Sequence, residues 1–256
     1  MILTADVGNT NITLGGFKDG KFVFVSRVFT QKDKTSDEYA IILNSIFHLY
    51  GIKNNTFEGA VISSVVPLVT LALKNAISKL LGCNVLVVSP GIKTGLNIKI
   101  DNPSILGSDL VCSAVGAIAN YPLPCVIVDL GTATKVSAIS ADGAFLGVSI
   151  SPGVEISLNA LNKNTAQLPQ IGLDGTPNLI GTNSVDSMRS GIIYGTASMI
   201  DGMLVRFSKA LGEVKTVVAT GGISRFIIPH CQSEIIENDN LVLEGLVEIY
   251  RKNTFV

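Results

Sequence analysis

The chain opens with short runs in which apolar residues dominate one side of an alternating pattern: Ile2-Leu3-Thr4-Ala5-Asp6, Ile12-Thr13-Leu14 and Phe22-Val23-Phe24-Val25. The turn residues Gly8-Asn9-Thr10-Asn11 separate the first two, so the pattern predicts a three-stranded meander. The period then becomes helical. Tyr39, Ile42, Leu43, Ile46 and Leu49 recur three and four residues apart, Asp37 and Glu38 occupy the first turn, and Gly51 follows the last. Ser36 is the expected N-cap. A strand over Ala60–Ser63, a helix opened by Pro67 and ended near Gly82, and a strand over Val85–Val88 complete the order β-β-β-α-β-α-β.

A helix is predicted from Gly107 to Tyr121, and the pattern then restarts. Val126-Ile127-Val128-Asp129 is an apolar strand ending in a carboxylate. It turns at Gly131-Thr132, resumes from Val136 to Ile139, and is followed by a third strand over Phe145–Ile150. A long helix between Ser184 and Leu211, a strand over Thr216–Ala219 and a Thr220-Gly221-Gly222 turn come next. The stretch from Leu241 to Tyr250 is expected as a helix packed on the second half. Asp6-Val7-Gly8-Asn9-Thr10 and Asp129-Leu130-Gly131-Thr132-Ala133 lie about half a chain apart. The repeat predicts a duplicated α/β architecture, residues 1–115 and 116–256, with a cleft between the copies.

Composition narrows the function classes. Of 256 residues 47% are apolar and 15% charged, and the net charge is −1. Such balance, without a Lys/Arg cluster, argues against a nucleic-acid surface, which needs concentrated positive charge. The most apolar stretch, from Gly59 to Leu73, is broken by Ser63, Ser64, Pro67 and Thr70, so no membrane-spanning helix is predicted. The opening residues carry no basic segment and reach Asp6 at once, so no signal peptide is expected and the location is read as cytoplasmic. Four cysteines without a C-x-x-C pair read as reduced and mostly buried. With only two histidines, His48 and His230, acid/base work falls to carboxylates.

An Asp closing a strand before a glycine turn sets a carboxylate beside backbone N–H groups that face a ligand. Glycine lets the chain approach phosphate, while the carboxylate implies a cation. One such turn alone reads first as an ordinary hairpin with a locally bonded Asp; two in equivalent places reverse the preference toward phosphate chemistry. The run from Gly15 to Phe22 approaches P-loop spacing, but Phe22 replaces the Ser/Thr and the run sits between two strands, so it is rejected. Asp109, in Gly107-Ser108-Asp109-Leu110, reads either as a first-turn acid complementing the helix dipole or as a general base. Thr220-Gly221-Gly222 reads as a positive-φ turn or as room for a flat ring, and Ser184 as an N-cap or a substrate contact. Arg189 and Lys163 read as solvated helix charges; Lys135 either balances Asp129 or points outward.

In order along the chain, Asp6-Val7-Gly8-Asn9-Thr10, Asn102-Pro103, Gly107-Ser108-Asp109, Asp129-Leu130-Gly131-Thr132-Ala133, Ser151-Pro152-Gly153, the segment from Thr165 to Pro169, Gly221-Gly222 and the segment from Asn240 to Leu246 together resemble the type III pantothenate kinases. The resemblance covers nearly the whole chain. It implies the actin-like kinase fold of two ribonuclease H-like domains, a homodimer, and ATP-dependent phosphorylation of pantothenate toward coenzyme A. By position it assigns Asp6, Val7, Gly8, Asn9, Thr10, Asn11, Ile12 and Thr13 to a first phosphate loop, with Asp6 near magnesium. Asp109 becomes the base, Asp129 the site of a potassium or ammonium ion, and Thr132 a phosphate contact. Gly221 and Gly222 fall in the adenosine region, and Gly107, Ser108, Asp109, Leu110 and Ser184 at the pantothenate contacts. Three departures lie on the acceptor side. Leu110 stands where many members carry Arg, Ser184 where Thr is common and Ile100 where Tyr is common, and Arg189 is the candidate replacement for the missing guanidinium. Two alternatives follow from these departures: a nucleotide-binding regulator without kinase activity, or a kinase for another small alcohol.

Overall fold

Residues 1–165, 167–175 and 177–254 are described by the structure, a computed structural model. The Thr165–Pro169 motif includes Ala166, which lies outside them. In chain order the elements are β1 (Ile2–Val7), β2 (Asn11–Lys18), β3 (Lys21–Phe29), α1 (Ser36–Leu49), β4 (Gly59–Ser64), α2 (Pro67–Leu81), β5 (Val85–Val87), β6 (Asn97–Ile98) and α3 (Ser108–Asn120). Then follow β7 (Cys125–Leu130), β8 (Ala133–Ile139), β9 (Ala144–Pro152), α4 (Val154–Asn164), α5 (Ser184–Leu211), β10 (Thr216–Thr220), α6 (Ser224–Ile227), β11 (Ile236–Glu237) and α7 (Leu241–Thr254). The chain divides into two units. The first holds Met1–Leu96, Asn102–Ala119 and the segment from Leu241 onward; the second holds Asn97–Asp101 and Asn120–Asn240.

In the first unit the strands lie in the order β3-β2-β1-β4-β5. β1 is central, antiparallel to β2 and parallel to β4, and all its side chains are buried except that of Asp6, which is partly exposed. This explains its near-continuous apolar run, because both faces of a central strand are covered. Tyr39, Leu43 and Phe47 of α1 and Val69, Leu73 and Ile77 of α2 meet Leu3, Ala5, Ile12 and Leu14 in one core. The N-cap of α1 is Thr35, not the expected Ser36. Its hydroxyl accepts the Glu38 N–H, and the Glu38 carboxylate accepts the Thr35 N–H at 2.8 Å, a capping box that the spacing Thr35-x-x-Glu38 already encodes. Gly82, at φ 63°, ends α2.

The second unit has the order β11-β10-β7-β8-β9-β6. Apart from β6 this repeats the first sheet, with β9-β8-β7 standing for β3-β2-β1, so the duplication read from the sequence is present in the topology. Ile192, Ile193, Ala197, Ile200 and Leu204 of α5 pack on Val126, Val128, Leu130 and Val136. The N-cap of α5 is Asn183, whose side chain accepts the Asp186 N–H at 2.9 Å, and the expected cap Ser184 is the first helical residue. Among the described residues no helix is long and apolar enough to cross a membrane. The four cysteines are free, with Cys112 and Cys125 buried; burial pushes the Cys125 thiol up to about 12.

The expected partition at 115/116 is corrected in two places. β6 joins the second sheet by pairing with β9, and α7 packs on β1 and β4 of the first unit, not on the second half. The reason is steric. Gly245 of α7 and Gly116 of α3 bring the two helices into backbone contact, where a methyl group on Gly245 would overlap the Cys112 carbonyl oxygen and one on Gly116 the Leu241 carbonyl oxygen. The far end of α7 is fastened by Lys252 Nζ donating to the Thr94 carbonyl at 2.9 Å and Asn253 Nδ2 to that of Lys93 at 3.0 Å. Gly245→Ala is therefore expected to destabilise the protein by about 1–3 kcal/mol, the usual range for overpacking. Urea unfolding checks this, and an unchanged midpoint would contradict the backbone contact.

Candidate functional site

In the first unit Asp6 lies near the end of β1, opposite Thr13 of β2 and beside Ser63 of β4. The turn that follows is held through its carbonyl groups. Gly8 N–H donates to the Asn11 carbonyl at 2.9 Å, Thr30 N–H to that of Thr10 at 2.9 Å, and Thr30 Oγ1 to that of Gly8 at 2.7 Å. Asn9 and Thr10 are exposed and Asn11 and Thr13 partly so, whereas Val7 and Ile12 are core side chains. Of the expected phosphate loop, these two offer a ligand only their backbone.

The first turn of α3 is stapled to the same strand ends. Ser108 Oγ accepts the Ser64 N–H at 3.0 Å, lies 3.0 Å from the Ser64 carbonyl as donor, and lies 3.1 Å from Ser63 Oγ. The expected substrate residue Ser108 thus spends its hydroxyl on β4. Asp109 folds back over Gly107, whose missing side chain leaves the room: a Cβ there would stand 2.5 Å from Asp109 Oδ1. One turn further along α3 is the fully buried Cys112. Burial first, then the negative charges of Asp6 and Asp109, push its thiol well above the usual range, so both carboxylates act on one buried point. Leu110 is 7% exposed and belongs to the interior.

In the second unit three turns converge. Asp129, near the end of β7, is registered with Thr220 of β10 and Lys135 of β8. Gly221 has φ 102°, and a Cβ on it would come within 2.5 Å of the Leu130 backbone, so both conformation and space demand glycine. Gly153, at the start of α4, sits under the other side, where a Cβ would overlap the Thr132 carbonyl oxygen. Thr132 and Gly222 are exposed. The Asp129 carboxylate is paired with the Lys135 ammonium at 2.7 Å, which settles the two readings of Lys135 in favour of charge balance. Ser184 is exposed at the first position of α5. Arg189 is occupied: its Nε donates to the Gly172 carbonyl at 3.2 Å and its guanidinium lies 3.6 Å from Asp186. A groove of about 670 Å³ in this unit, lined by Leu204, Lys209, Val217, Glu234 and Ile236 among others, shares no residue with the turns.

Among the described residues no three His, Cys, Asp or Glu side chains gather as a metal centre. Single carboxylates such as Asp6 suit a magnesium ion carried largely by substrate phosphates and water. Thr30, Ser63 and Ser64, which hold the first turn and Ser108, were not recognised in the sequence; they carry no motif, and only strand register brings them in. Ser108→Ala leaves the Ser64 N–H without this acceptor and is expected to cost about 1–3 kcal/mol. Denaturant unfolding measures it, with Ser108→Thr recovering part of the loss.

The family description "Type III pantothenate kinase" matches residues 2–206. A type III pantothenate kinase of Halalkalibacterium halodurans is 40% identical over 253 residues, 99% of this chain and 100% of that protein. Among solved structures, a conserved putative Baf family transcriptional activator from Campylobacter jejuni superposes with TM-score 0.61 at 20% identity, over 99% of this chain and 100% of that one. The activator of the 2-hydroxyisocaproyl-CoA dehydratase from Clostridium difficile, with bound ADPNP, gives 0.56 at 15% identity, over 97% and 93%. At such identities these structures speak for the fold, the actin-like ATPase and sugar kinase fold that the two same-order sheets build. With the family description matched over most of its length and a curated relative matched end to end, the chain belongs to the type III pantothenate kinase family.

Proposed function

We propose that the protein transfers the γ-phosphoryl group of ATP to the primary hydroxyl of pantothenate, giving 4'-phosphopantothenate and ADP, the first step toward coenzyme A, in the cytoplasm. The observation that carries this reading is the full-length family match together with both Asp-x-Gly turns and Asp109 intact. Asp109 accepts the proton of the pantothenate hydroxyl as its oxygen attacks the γ-phosphorus, the bond from that phosphorus to the β,γ-bridging oxygen breaks, and ADP leaves. Phosphoryl transfer asks mainly for orientation and charge stabilisation, so the carboxylate's fixed place over Gly107 matters more than its basicity. Asp6 would hold magnesium, which would neutralise phosphate charge when bound with ATP. The exposed Asn9, Thr10 and Thr132 donate to phosphate, and Gly221 and Gly222 leave room for the adenosine. By the resemblance Gly107 of the first unit is a pantothenate contact, and Ser184 is the second unit's candidate for one. Ser108 serves there by anchoring α3, and the buried Leu110 only by its backbone.

One observation favours a second reading, a kinase for a different small alcohol. The pantothenate carboxylate lacks the guanidinium that the resemblance places after Asp109, and Arg189 is already engaged. Coupled ADP release across pantothenate and related alcohols separates the two: pantothenate-dependent turnover supports the first, and turnover only with another acceptor the second. Asp109→Asn is expected to lower kcat by about a hundredfold or more while nucleotide affinity changes little. Unchanged turnover in that variant would overturn the base assignment.

The protein acts as a homodimer in this reading, since Ile150, Leu179 and Ile180 leave 63%, 69% and 82% of their surfaces exposed. Light scattering is expected to give twice the chain mass of 26.9 kDa; a monomer at that mass would contradict it.

A further inference from the structure

Residues directly opposite one another on an antiparallel ladder point to the same face. In the first unit the residue opposite Asp6 is Thr13, and in the second the residue opposite Asp129 is Lys135. Two sheets with the same strand order therefore give their strand-end carboxylates different neighbours, a hydroxyl in one and an ammonium in the other. Lys135 Nζ lies 2.7 Å from Asp129 Oδ2, and the two side chains are only 13% and 15% exposed. The other carboxylate oxygen lies against Gly131, the glycine of the phosphate turn.

The family resemblance implies a potassium or ammonium ion at Asp129, and the donor set there does not fit one. The carboxylate already holds a cation, and a second positive charge on it would meet the repulsion of that ammonium at short range in a largely buried place. Potassium also needs several oxygen donors, while the side chain that the ladder turns toward Asp129 from β8 ends in an ammonium.

We infer that Lys135 is a built-in monovalent cation: its ammonium, fixed on β8 and paired with Asp129 beside the Gly131-Thr132 turn, supplies the single positive charge that a bound potassium ion supplies by resemblance. A tethered charge needs no ion from solution and loses no translational freedom on nucleotide binding. The inference rests on the reading of this turn as a phosphate-binding turn, and its test is placed on nucleotide binding so that it does not depend on the identity of the acceptor.

The experiment is calorimetric titration of ADP and of a non-hydrolysable ATP analogue with magnesium, in buffers whose only other cation is tetramethylammonium, then with potassium or ammonium added. The wild-type affinity is expected to change less than about twofold, whereas Lys135→Thr, which copies the first unit, is expected to lose about tenfold or more and to recover when potassium or ammonium is added. Lys135→Arg keeps the charge and is expected to remain indifferent to potassium; circular dichroism confirms that each variant is folded. Strong potassium dependence in the wild type overturns the inference even if no variant folds. A folded Lys135→Thr that binds as tightly as wild type without potassium, or that potassium and ammonium both fail to restore, overturns it as well. Failure of every form to bind nucleotide removes both the inference and the kinase reading. Potassium-independent nucleotide binding without pantothenate turnover keeps the inference and removes only the acceptor.

Discussion

Backbone contact without side chains is the constraint on which the second unit's turns depend. Gly221 and Gly153 lie against the segment from Leu130 to Thr132 so closely that neither position has room for a Cβ. Each belongs to a different element, the end of β10 and the start of α4, so the contact fixes three chain segments relative to one another at once. Hydrogen bonds between side chains would allow tenths of an ångström of play; van der Waals contact between backbones does not. The position of Thr132 and the aim of Asp129 follow from this packing.

The first unit reaches the same end by different means. Its turn is drawn in by Thr30 from the end of β3, and the helix bearing Asp109 is stapled to β4 by the Ser108 hydroxyl. The staple also places Asp109 on the same strand pair that carries Asp6. The electrostatic load of both carboxylates on Cys112 is the signature of that closeness.

Much of this was legible in the sequence because it rests on periodicity and punctuation. The two meanders, the helix opened by Pro67 and closed by Gly82, and the long α5 follow from alternation, helical spacing and punctuation. The rest does not show in the pattern: α4 lacks an apolar stripe, Val154 being its buried residue. β6 and β11 are two residues each, too short for any period, and exist only because a neighbouring strand accepts them. For α7 the spacing predicts the helix but not its unit, since amphipathic spacing tells that one face is buried and not against what; the choice lies with Gly116 and Gly245, two glycines whose meaning appears only when the helices meet. Asn183 displaced Ser184 as cap for a similar reason: both are good caps, and the carbonyl geometry, not the residue type, decides between neighbours. The site followed the same division. Asp6, Asp109 and Asp129 stand out as strand-end and helix-start acids, while Thr30, Ser63 and Ser64 have no pattern of their own.

Two charge features mark the site chemistry of this chain. An ammonium is fixed beside the carboxylate of the second turn, and a leucine is packed where the resemblance places a guanidinium. Leu110 is part of the α3 interior, and an arginine there would have to run its stem through that packing and carry its head out to solvent. With leucine the helix gains a well-filled core position and gives up a carboxylate receptor. Arg189 of α5 is itself tied to Asp186 and to the Gly172 carbonyl. Positive charge is thus committed at the second unit's turn, where Lys135 pairs with Asp129. In the proposed reading, acceptor selection then rests on hydrogen bonding and shape at the first turn of α3, around Gly107. An acceptor chosen in that way is distinguished less by its carboxylate than by the hydroxyl it presents to Asp109.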